Sequence, residues 1–265
     1  MNVGDPGGAE AATALAEHDA GNLIRYAVHS HGRAETAADV TASLHLADKG
    51  QVQLDGVTLS DRAARLAPAL SSLAGRTLKI GLLGEHNAAN ALGVAVLAAA
   101  CGGTGEGIVT ALAEFPGVGR RLEVRFDDGI TVLDDYGHHP TAIDATLATV
   151  RRRYPGRPLI LAIEPLTYHR TAALLGSLAR ACAAADRVAV ADIFAVRDTD
   201  LSITSAAALA AEIRLLGTPA EAPGSVEATA DAVAATINPH AVVVVMGGGR
   251  STDLATRLSA ALGAR

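Results

Sequence analysis

Lysine is nearly missing from this chain of 265 residues: the 22 basic residues are 20 Arg plus Lys49 and Lys79, and no Gly-Lys pair occurs. Phosphate-cradling loops commonly end in that pair. Cysteine occurs twice, as Cys101 and Cys182, in alanine-rich apolar stretches without CxxC spacing. That excludes a disulfide framework and marks both as small apolar residues of a reducing compartment. Tryptophan is absent and aromatics reach only 3%. Basic residues cluster only at Arg151, Arg152 and Arg153, which read as a solvated helix end, and the net charge is −6. A nucleic-acid groove therefore has no electrostatic footing. The longest apolar run, Ala91 to Cys101, is far below the ~20 residues of a membrane span. Met1 to Ala20 has neither the basic nor the apolar region of a secretory signal. A cytoplasmic protein without membrane or nucleic-acid partners is expected.

What is present is a globular composition, 49% hydrophobic and 19% charged with 27 Gly and 10 Pro, which excludes a disordered tail, a collagen or a mucin-like stalk. At about 150 residues per domain the length suits one large domain or two small ones. Asn2-Val3-Gly4-Asp5-Pro6 reads as a loop leaving a strand, and Gly7 to His18 as a helix. Alternating segments at 23–28, 40–46 and 51–54, with Asp55-Gly56 as a hairpin-turn signal, predict a small antiparallel sheet. Leu78 to Leu83 reads as a further strand, Asn87 to Cys101 as a buried helix ended by Gly102-Gly103, and Glu106 to Phe115 as a short helix. Pro116-Gly117 marks a boundary, giving domains 1–117 and 118–265.

Beyond the boundary, short apolar runs at 130–133, 159–163, 188–191 and 241–246 alternate with helical stretches at 141–153, 171–184, 205–216, 226–237 and 252–262. Strands buried on both faces and separated by helices predict a Rossmann-like parallel sheet, so the fold class is α/β. Ligands bind such sheets beyond the carboxyl ends of the strands. Three of those ends are polar: Asp134-Asp135-Tyr136-Gly137-His138-His139-Pro140, Glu164 to Arg170, and Asp192-Ile193-Phe194. Carboxylates, imidazoles, a phenol and a guanidinium at one rim suit a nucleotide and a polar substrate, although turn chemistry explains any one loop alone. His138 and His139, being consecutive, do not converge on a tetrahedral metal, and no metal site is expected. Gly247-Gly248-Gly249-Arg250, followed by Ser251 or Thr252 as N-cap, reads as a tight connecting turn ahead of an anion cradle. Asn87 and Asn90, one helical turn apart, suit either an adenine edge or a helix start.

Gly84-x-His86-Asn87-x-x-Asn90-Ala91-Leu92, then Phe115-x-Gly117-Val118-x-Arg120-Arg121, then Asp134-Asp135-Tyr136-Gly137-His138-His139-Pro140-Thr141 stand in the order and spacing of the Mur ligases. Asn2-x-x-Asp5-Pro6 resembles that family's N-x-D-D-P loop, with Gly4 in place of the first Asp. The resemblance runs over essentially the whole chain and makes it similar to roughly the C-terminal half of a ligase. It implies a partial central domain of ATPase type over 1–117, then the family's C-terminal domain over 118–265. It also implies ATP-dependent amide synthesis with Mg²⁺, in which a carboxylate is phosphorylated and the acyl phosphate is attacked by an amino acid's amine. By position, His86, Asn87 and Asn90 would hold adenine, Asp135 the ribose hydroxyls, and Arg121 the γ-phosphate, where developing charge needs a fixed cation. Tyr136 and His138 would face the amino acid and the acyl phosphate, with His138 and Arg121 as catalytic groups. Tyr168 and Arg170 would line the amino-acid pocket, Arg170 binding the carboxylate.

The departures are equally definite. The family's UDP-sugar domain and Gly-Lys-Thr loop have no counterpart here, and neither Lys49 nor Lys79 lies in a glycine-rich loop. Alanine-adding members typically read F-Q-P-H-R-Y-T-R where this chain reads Ile163-Glu164-Pro165-Leu166-Thr167-Tyr168-His169-Arg170. Two polar groups are thereby lost at Leu166 and Thr167, which puts L-alanine in doubt. The leading expectation is a ligase component whose P-loop and acceptor site come from a second chain, or a homo-oligomer covering an incomplete first domain with an apolar, unpaired surface over Met1 to Leu83. The alternatives are a non-catalytic nucleotide-binding scaffold and an enzyme that has reused His138, His139, Asp135, Tyr136 and Arg170 without ATP.

Overall fold

The computed structural model describes residues 1–19, 23–29, 38–46 and 51–264. Lys49 and the connection between the second and third strands lie outside the described residues. The chain forms two compact units, Met1–Gly117 and Val118–Arg265.

In the first unit Asn2 pairs in parallel with Tyr26 just ahead of helix α1 (Pro6–Asp19). Strands β1 (Tyr26–His29), β2 (Val40–Leu46), β3 (Gln51–Leu59) and β4 (Leu78–Leu83) form one sheet in the order β1-β2-β3-β4. The β2–β3 and β3–β4 pairs are antiparallel, but β1 runs parallel to β2, so the sheet is mixed where alternation alone predicts antiparallel pairing. Asp55-Gly56 is not a hairpin turn. It lies inside β3, where Gly56 has φ +60° and the register against β2 slips between Thr41 and Ser43, which makes it a bulge. After β3 come α2 (Asp61–Leu66) and a short 3-10 turn at Pro68–Leu73, and after β4 come α3 (Glu85–Ala100) and α4 (Gly105–Glu114). Leu54, Leu70, Leu73, Leu78 and Leu92 are fully buried together.

The apolar surface expected over 1–83 is not found among its described residues. Among the described residues of that stretch only Leu15 is a large exposed apolar side chain, whereas Val94 and Leu97 stand exposed on α3. Cys101, at the C-cap of α3, is exposed as well, unlike the buried residue its apolar neighbours suggest. Cys182 is buried, and burial pushes its thiol up to about 12.

The second unit is a six-stranded sheet in the order β5-β6-β10-β7-β8-β9, built from β5 (Glu123–Asp128), β6 (Ile130–Asp135), β7 (Leu159–Glu164), β8 (Arg187–Ala191), β9 (Ala220–Gly224) and β10 (Val242–Gly247). Only β5 is antiparallel. Successive side chains of a strand point to opposite faces, and both faces here are apolar. Leu161, Ile163, Val188, Val190, Val242 and Val244 pack on α5 (Pro140–Arg153), α7 (Leu175–Cys182) and α8 (Ala206–Leu215). The alternate residues Ile160, Ala162, Ala189, Ala191, Val243 and Val245 pack on α9 (Val226–Thr236) and α10 (Ser251–Gly263). The stretch predicted as one helix over 171–184 is two, α6 (Tyr168–Ala173) and α7, parted at Leu174, whose φ is −108°. Arg151 is not merely solvated: it grips both carboxylate oxygens of Asp186 at 2.7 and 2.9 Å.

At the amino ends of the strands, Arg157 donates to the carbonyls of His240 (2.6 Å), Gly129 (2.9 Å) and Ala241 (3.0 Å) and lies over the Tyr154 ring. Three carbonyls from two segments converge on one planar fork, a geometry that an ammonium group does not reproduce. Arg157→Ala is expected to cost about 2 kcal/mol in urea melts, and Arg157→Lys is expected to recover less than half of that loss.

Candidate functional site

Because β6, β10, β7 and β8 are parallel, the loops that follow β6, β7 and β8 leave from the same edge of the sheet. After β6 the chain turns through Tyr136 to Pro140, with His139 as N-cap of α5 accepting from Thr141 N–H at 3.4 Å. After β7 it runs through Leu166, which bridges in parallel to Phe194 beyond β8.

Tyr136 is the exposed centre of the first loop, at 40% exposure. The guanidinium carbons of Arg120 and Arg121 lie 5.1 and 5.7 Å from its ring centroid, and His138 meets it edge-on at 5.3 Å. A cation over an aromatic face contributes about 0.5–1 kcal/mol at such exposure. His138 Nδ1 lies 3.0 Å from the Tyr136 carbonyl. Arg121, Tyr136 and His138, three of the residues singled out by sequence, are thus together.

Asp135 is nearly buried, and its carboxylate is engaged: Oδ1 accepts from Gly137 N–H at 2.8 Å and Oδ2 from Leu122 N–H at 3.1 Å. Leu122 and Arg120 have φ of +51° and +61°, a region costly for residues with a side chain. Asp135 holds one of these strained residues. Tyr136 holds the other, donating its N–H to the Arg120 carbonyl at 2.8 Å.

Beneath this surface lies a buried polar layer that sequence reasoning missed. Arg120 reaches back to donate to the Gly247 carbonyl and to Ser251 Oγ, both at 2.6 Å, while its Nε stands 3.5 Å from Asp134 Oδ1. Asp134 is fully buried and accepts from Thr252 Oγ1 at 3.0 Å. Burial pushes its carboxyl above the ordinary range, against the pull of Thr252 and Arg120. Glu164, at 3% exposure, ends β7 facing the backbone N–H groups of Ser251 and Arg250; burial raises its carboxyl too, and its Oε2 has no partner among the described residues. The only sequence signal for this layer is the Arg-Arg pair at 120–121 together with two acids closing strands.

The expected N-cap of α10 by Ser251 or Thr252 is not formed. Arg250 occupies the cap position without a side-chain bond to the helix backbone, since the Ser251 hydroxyl donates to Gly247 and that of Thr252 to Asp134. The glycine run before it is a close-packed turn. A Cβ on Gly248 would stand 3.1 Å from both His138 Nδ1 and Leu166 Cδ2, and one on Gly249 would overlap the Phe194 ring.

Tyr168 and Arg170 lie in the first turn of α6, preceded by Thr167 at φ +61°. Arg170 is exposed and Tyr168 half-buried. In the first unit, His86, Asn87 and Asn90 lie in the opening turns of α3, where Asn90 Nδ2 approaches Asn87 Oδ1 at 3.4 Å. A cavity of about 300 Å³ opens beside Glu85 and His86 on one side and Asn2 and Asp5 on the other. Asn2 and Asp5 serve their own turn, accepting from the N–H groups of Gly4 and Gly8 at 3.0 Å each.

Two outcomes follow from the second unit. Gly249→Ala is expected to destabilise by about 2 kcal/mol, as overpacking does, and Phe194→Ala in the same chain to recover most of that. For Glu164, a carboxyl raised by folding binds its proton longer in the native state, so its own contribution to stability falls as pH rises from the ordinary carboxylate range through its raised value. Glu164→Gln removes that fall, and the stability difference in its favour, read by urea melts at stepped pH, grows from acid to neutral.

Residues 120–249 match the family model described as Mur ligase, glutamate ligase domain. Among curated proteins, the UDP-N-acetylmuramate–L-alanine ligase of Acidithiobacillus ferrooxidans is 39% identical over 181 residues, covering 68% of this chain and 39% of that protein. The enzyme of the same description from Mycolicibacterium vanbaalenii is 34% identical over 268 residues, covering 99% of this chain and 52% of the relative. The chain thus spans about half, or less, of the length of these relatives. In fold it is similar to the crystal structure of UDP-N-acetylmuramate-alanine ligase from Thermotoga maritima, with TM-score 0.70, 20% identity and coverage of 91% of this chain and 48% of that one. It is similar also to MurF from Acinetobacter baumannii, with TM-score 0.67, 16% identity and coverage of 98% and 51%. With the motif order of the sequence, the two-faced parallel sheet and the matched domain all agreeing, the domain over residues 120–249 belongs to the Mur ligase family, and the chain spans part of the length of its Mur ligase relatives.

Proposed function

We propose that this chain is a component of an ATP-dependent amide ligase that joins an acid to an amino acid through an acyl phosphate. Mur ligases are ATP-dependent amide ligases, and the observation that carries the reading here is the rim of the second unit: Tyr136 under the guanidinium groups of Arg120 and Arg121 with His138 at its edge. In this reading a carboxylate oxygen attacks the γ-phosphorus and displaces ADP. The amine nitrogen then attacks the acyl carbon, and the tetrahedral intermediate expels phosphate. Arg121 neutralises charge at the transferred phosphoryl group, His138 and Tyr136 face the acyl group, and Tyr168 and Arg170 receive the amino acid, Arg170 through its carboxylate.

His86, Asn87 and Asn90 are proposed to hold adenine, since the opening turns of α3 offer an imidazole and two amides within one turn of each other. Asp135 is proposed for the ribose. Each of its oxygens keeps a lone pair beyond the backbone bonds described, and those bonds fix its orientation. Among the described residues no group of three or more His, Cys, Asp or Glu is placed to hold a metal ion. In this reading Mg²⁺ comes with the nucleotide, held through its phosphates.

With no Gly-Lys pair in the sequence, the phosphate loop and acceptor site are proposed to lie outside these residues. The exposed Val94 and Leu97 of α3 favour a protein partner and lend some weight to the second reading, a nucleotide-binding scaffold without turnover. Among the described residues no helix is long and apolar enough to cross a membrane.

Isothermal titration of the chain with Mg-ATP and with ADP tests the nucleotide reading. Heat of binding is expected in wild type and an affinity at least about tenfold weaker in Asn90→Ala and in Asp135→Asn, the worth of one hydrogen bond to a polar or charged ligand group. A wild type without heat, or variants that bind as well as it does, would overturn the assignment of adenine and ribose to these residues.

A further inference from the structure

The loop after β7 holds a side-chain pair that none of these roles uses. His169 lies in the first turn of α6, with its Nδ1 2.7 Å from Asp198 Oδ1. The two partners differ sharply in environment: the imidazole is 63% exposed and the Asp198 side chain only 4%. Asp198 is also fixed by the backbone, its Oδ2 accepting from Tyr168 N–H at 2.8 Å and its Oδ1 from His169 N–H at 3.3 Å. The His169 bond is the leading cause holding the Asp198 carboxyl below its ordinary range. A carboxylate accepts and does not donate, so the bridging proton sits on Nδ1, and in the neutral imidazole the lone pair is on Nε2.

The imidazole is thus held in one tautomer and one orientation by a buried group, with its basic nitrogen on the exposed side. Thr167 caps α6 by accepting from Arg170 N–H, and Asp198 takes the N–H groups of Tyr168 and His169; the side-chain bond to His169 satisfies no backbone group and orients a ring. An imidazole oriented by a carboxylate is the arrangement of a general base. Its sequence neighbours are Tyr168 and Arg170, and Leu166 of the same loop packs on Gly248 opposite His138. Asp200, close enough to His169 to interact with it electrostatically, adds negative potential suited to a cationic group.

We propose that His169, oriented by Asp198, is the proton acceptor for the α-ammonium group of the amino acid substrate, an inference that rests on the amide-ligase reading. An ammonium nitrogen has no lone pair and attacks no carbonyl until it sheds a proton. In the step, one N–H bond of the ammonium breaks and its electron pair stays on nitrogen. The proton bonds to Nε2, the imidazolium so formed faces the Asp198 carboxylate, and the proton then passes to water. Arg170 takes the carboxylate of the same zwitterion, so both ends are met from one turn of α6.

Long-range proton–nitrogen NMR on the ¹⁵N-labelled chain tests this, with L-alanine, L-leucine and their N-acetyl derivatives as probes. The free chain is expected to show His169 protonated at Nδ1 and bare at Nε2. The free amino acids shift Nε2, and the N-acetyl derivatives, which have no ammonium, do not. His169→Gln, a change at an exposed position, weakens amino acid binding by roughly tenfold, the worth of a hydrogen bond to a charged group. A proton on Nε2 overturns the proposal. So do amino acids that shift the Tyr168 and Arg170 amides while Nε2 stays still, and that outcome leaves the ligase reading standing. No response anywhere in residues 165–170 overturns the proposal and the amino-acid part of the ligase reading together.

Discussion

The guanidinium of Arg120 is the tie on which the candidate site depends. It leaves a strained backbone position, crosses the face of the Tyr136 ring, and closes on the Gly247 carbonyl and the Ser251 hydroxyl while facing the buried Asp134. One side chain thereby joins the segment before β5, the end of β6, the end of β10 and the start of α10. The cost is considerable, since a charge at the edge of the core must be met by an opposite charge and by hydrogen bonds to avoid a large desolvation penalty. The 3.5 Å separation between Arg120 Nε and Asp134 Oδ1 is too long for a hydrogen bond. The layer is therefore held by charge and by its neighbours more than by that single contact. Tyr136, Arg121 and His138 stand on this layer, and their mutual placement is inherited from it.

The same layer sets a carboxylate of the chain itself against the glycine-rich turn at the start of α10. The N-terminus of α10 offers free N–H groups and a positive dipole end, the usual attraction for phosphate. In this chain Glu164 already faces those groups from the end of β7. The glycines serve another purpose, allowing the turn to pass between His138, Leu166 and the Phe194 ring with no Cβ in the way.

Much of the second unit was legible because its strands are unbroken apolar runs and its helices carry the periodicity of a buried face. The strands β5 and β9 were not. Glu-Val-Arg-Phe-Asp-Asp is a half-exposed edge whose alternation is short, and Ala-Glu-Ala-Pro-Gly has almost no strand propensity and pairs only because β8 offers it an edge. In the first unit, Asp55-Gly56 carries the composition of a hairpin turn and forms a bulge instead, because the strand continues to find partners on both sides of it. At the site, motif spacing located Tyr136, His138 and Arg121 but not the supports beneath them. Arg120, Glu164 and Asp198 act through residues far away in sequence, and a single chain read in order does not reveal such pairings.

The scarcity of aromatics has an optical corollary. With no tryptophan and four tyrosines, ultraviolet emission from this protein comes from tyrosine alone. Two of the four lie beyond the carboxyl edge of the second sheet, Tyr136 on the loop after β6 and Tyr168 in the first turn of α6, and Tyr136 lies beneath two guanidinium groups. The chain thus carries a sparse native fluorophore set weighted toward the very rim where a ligand would arrive, and its emission reports on that rim without any label being added.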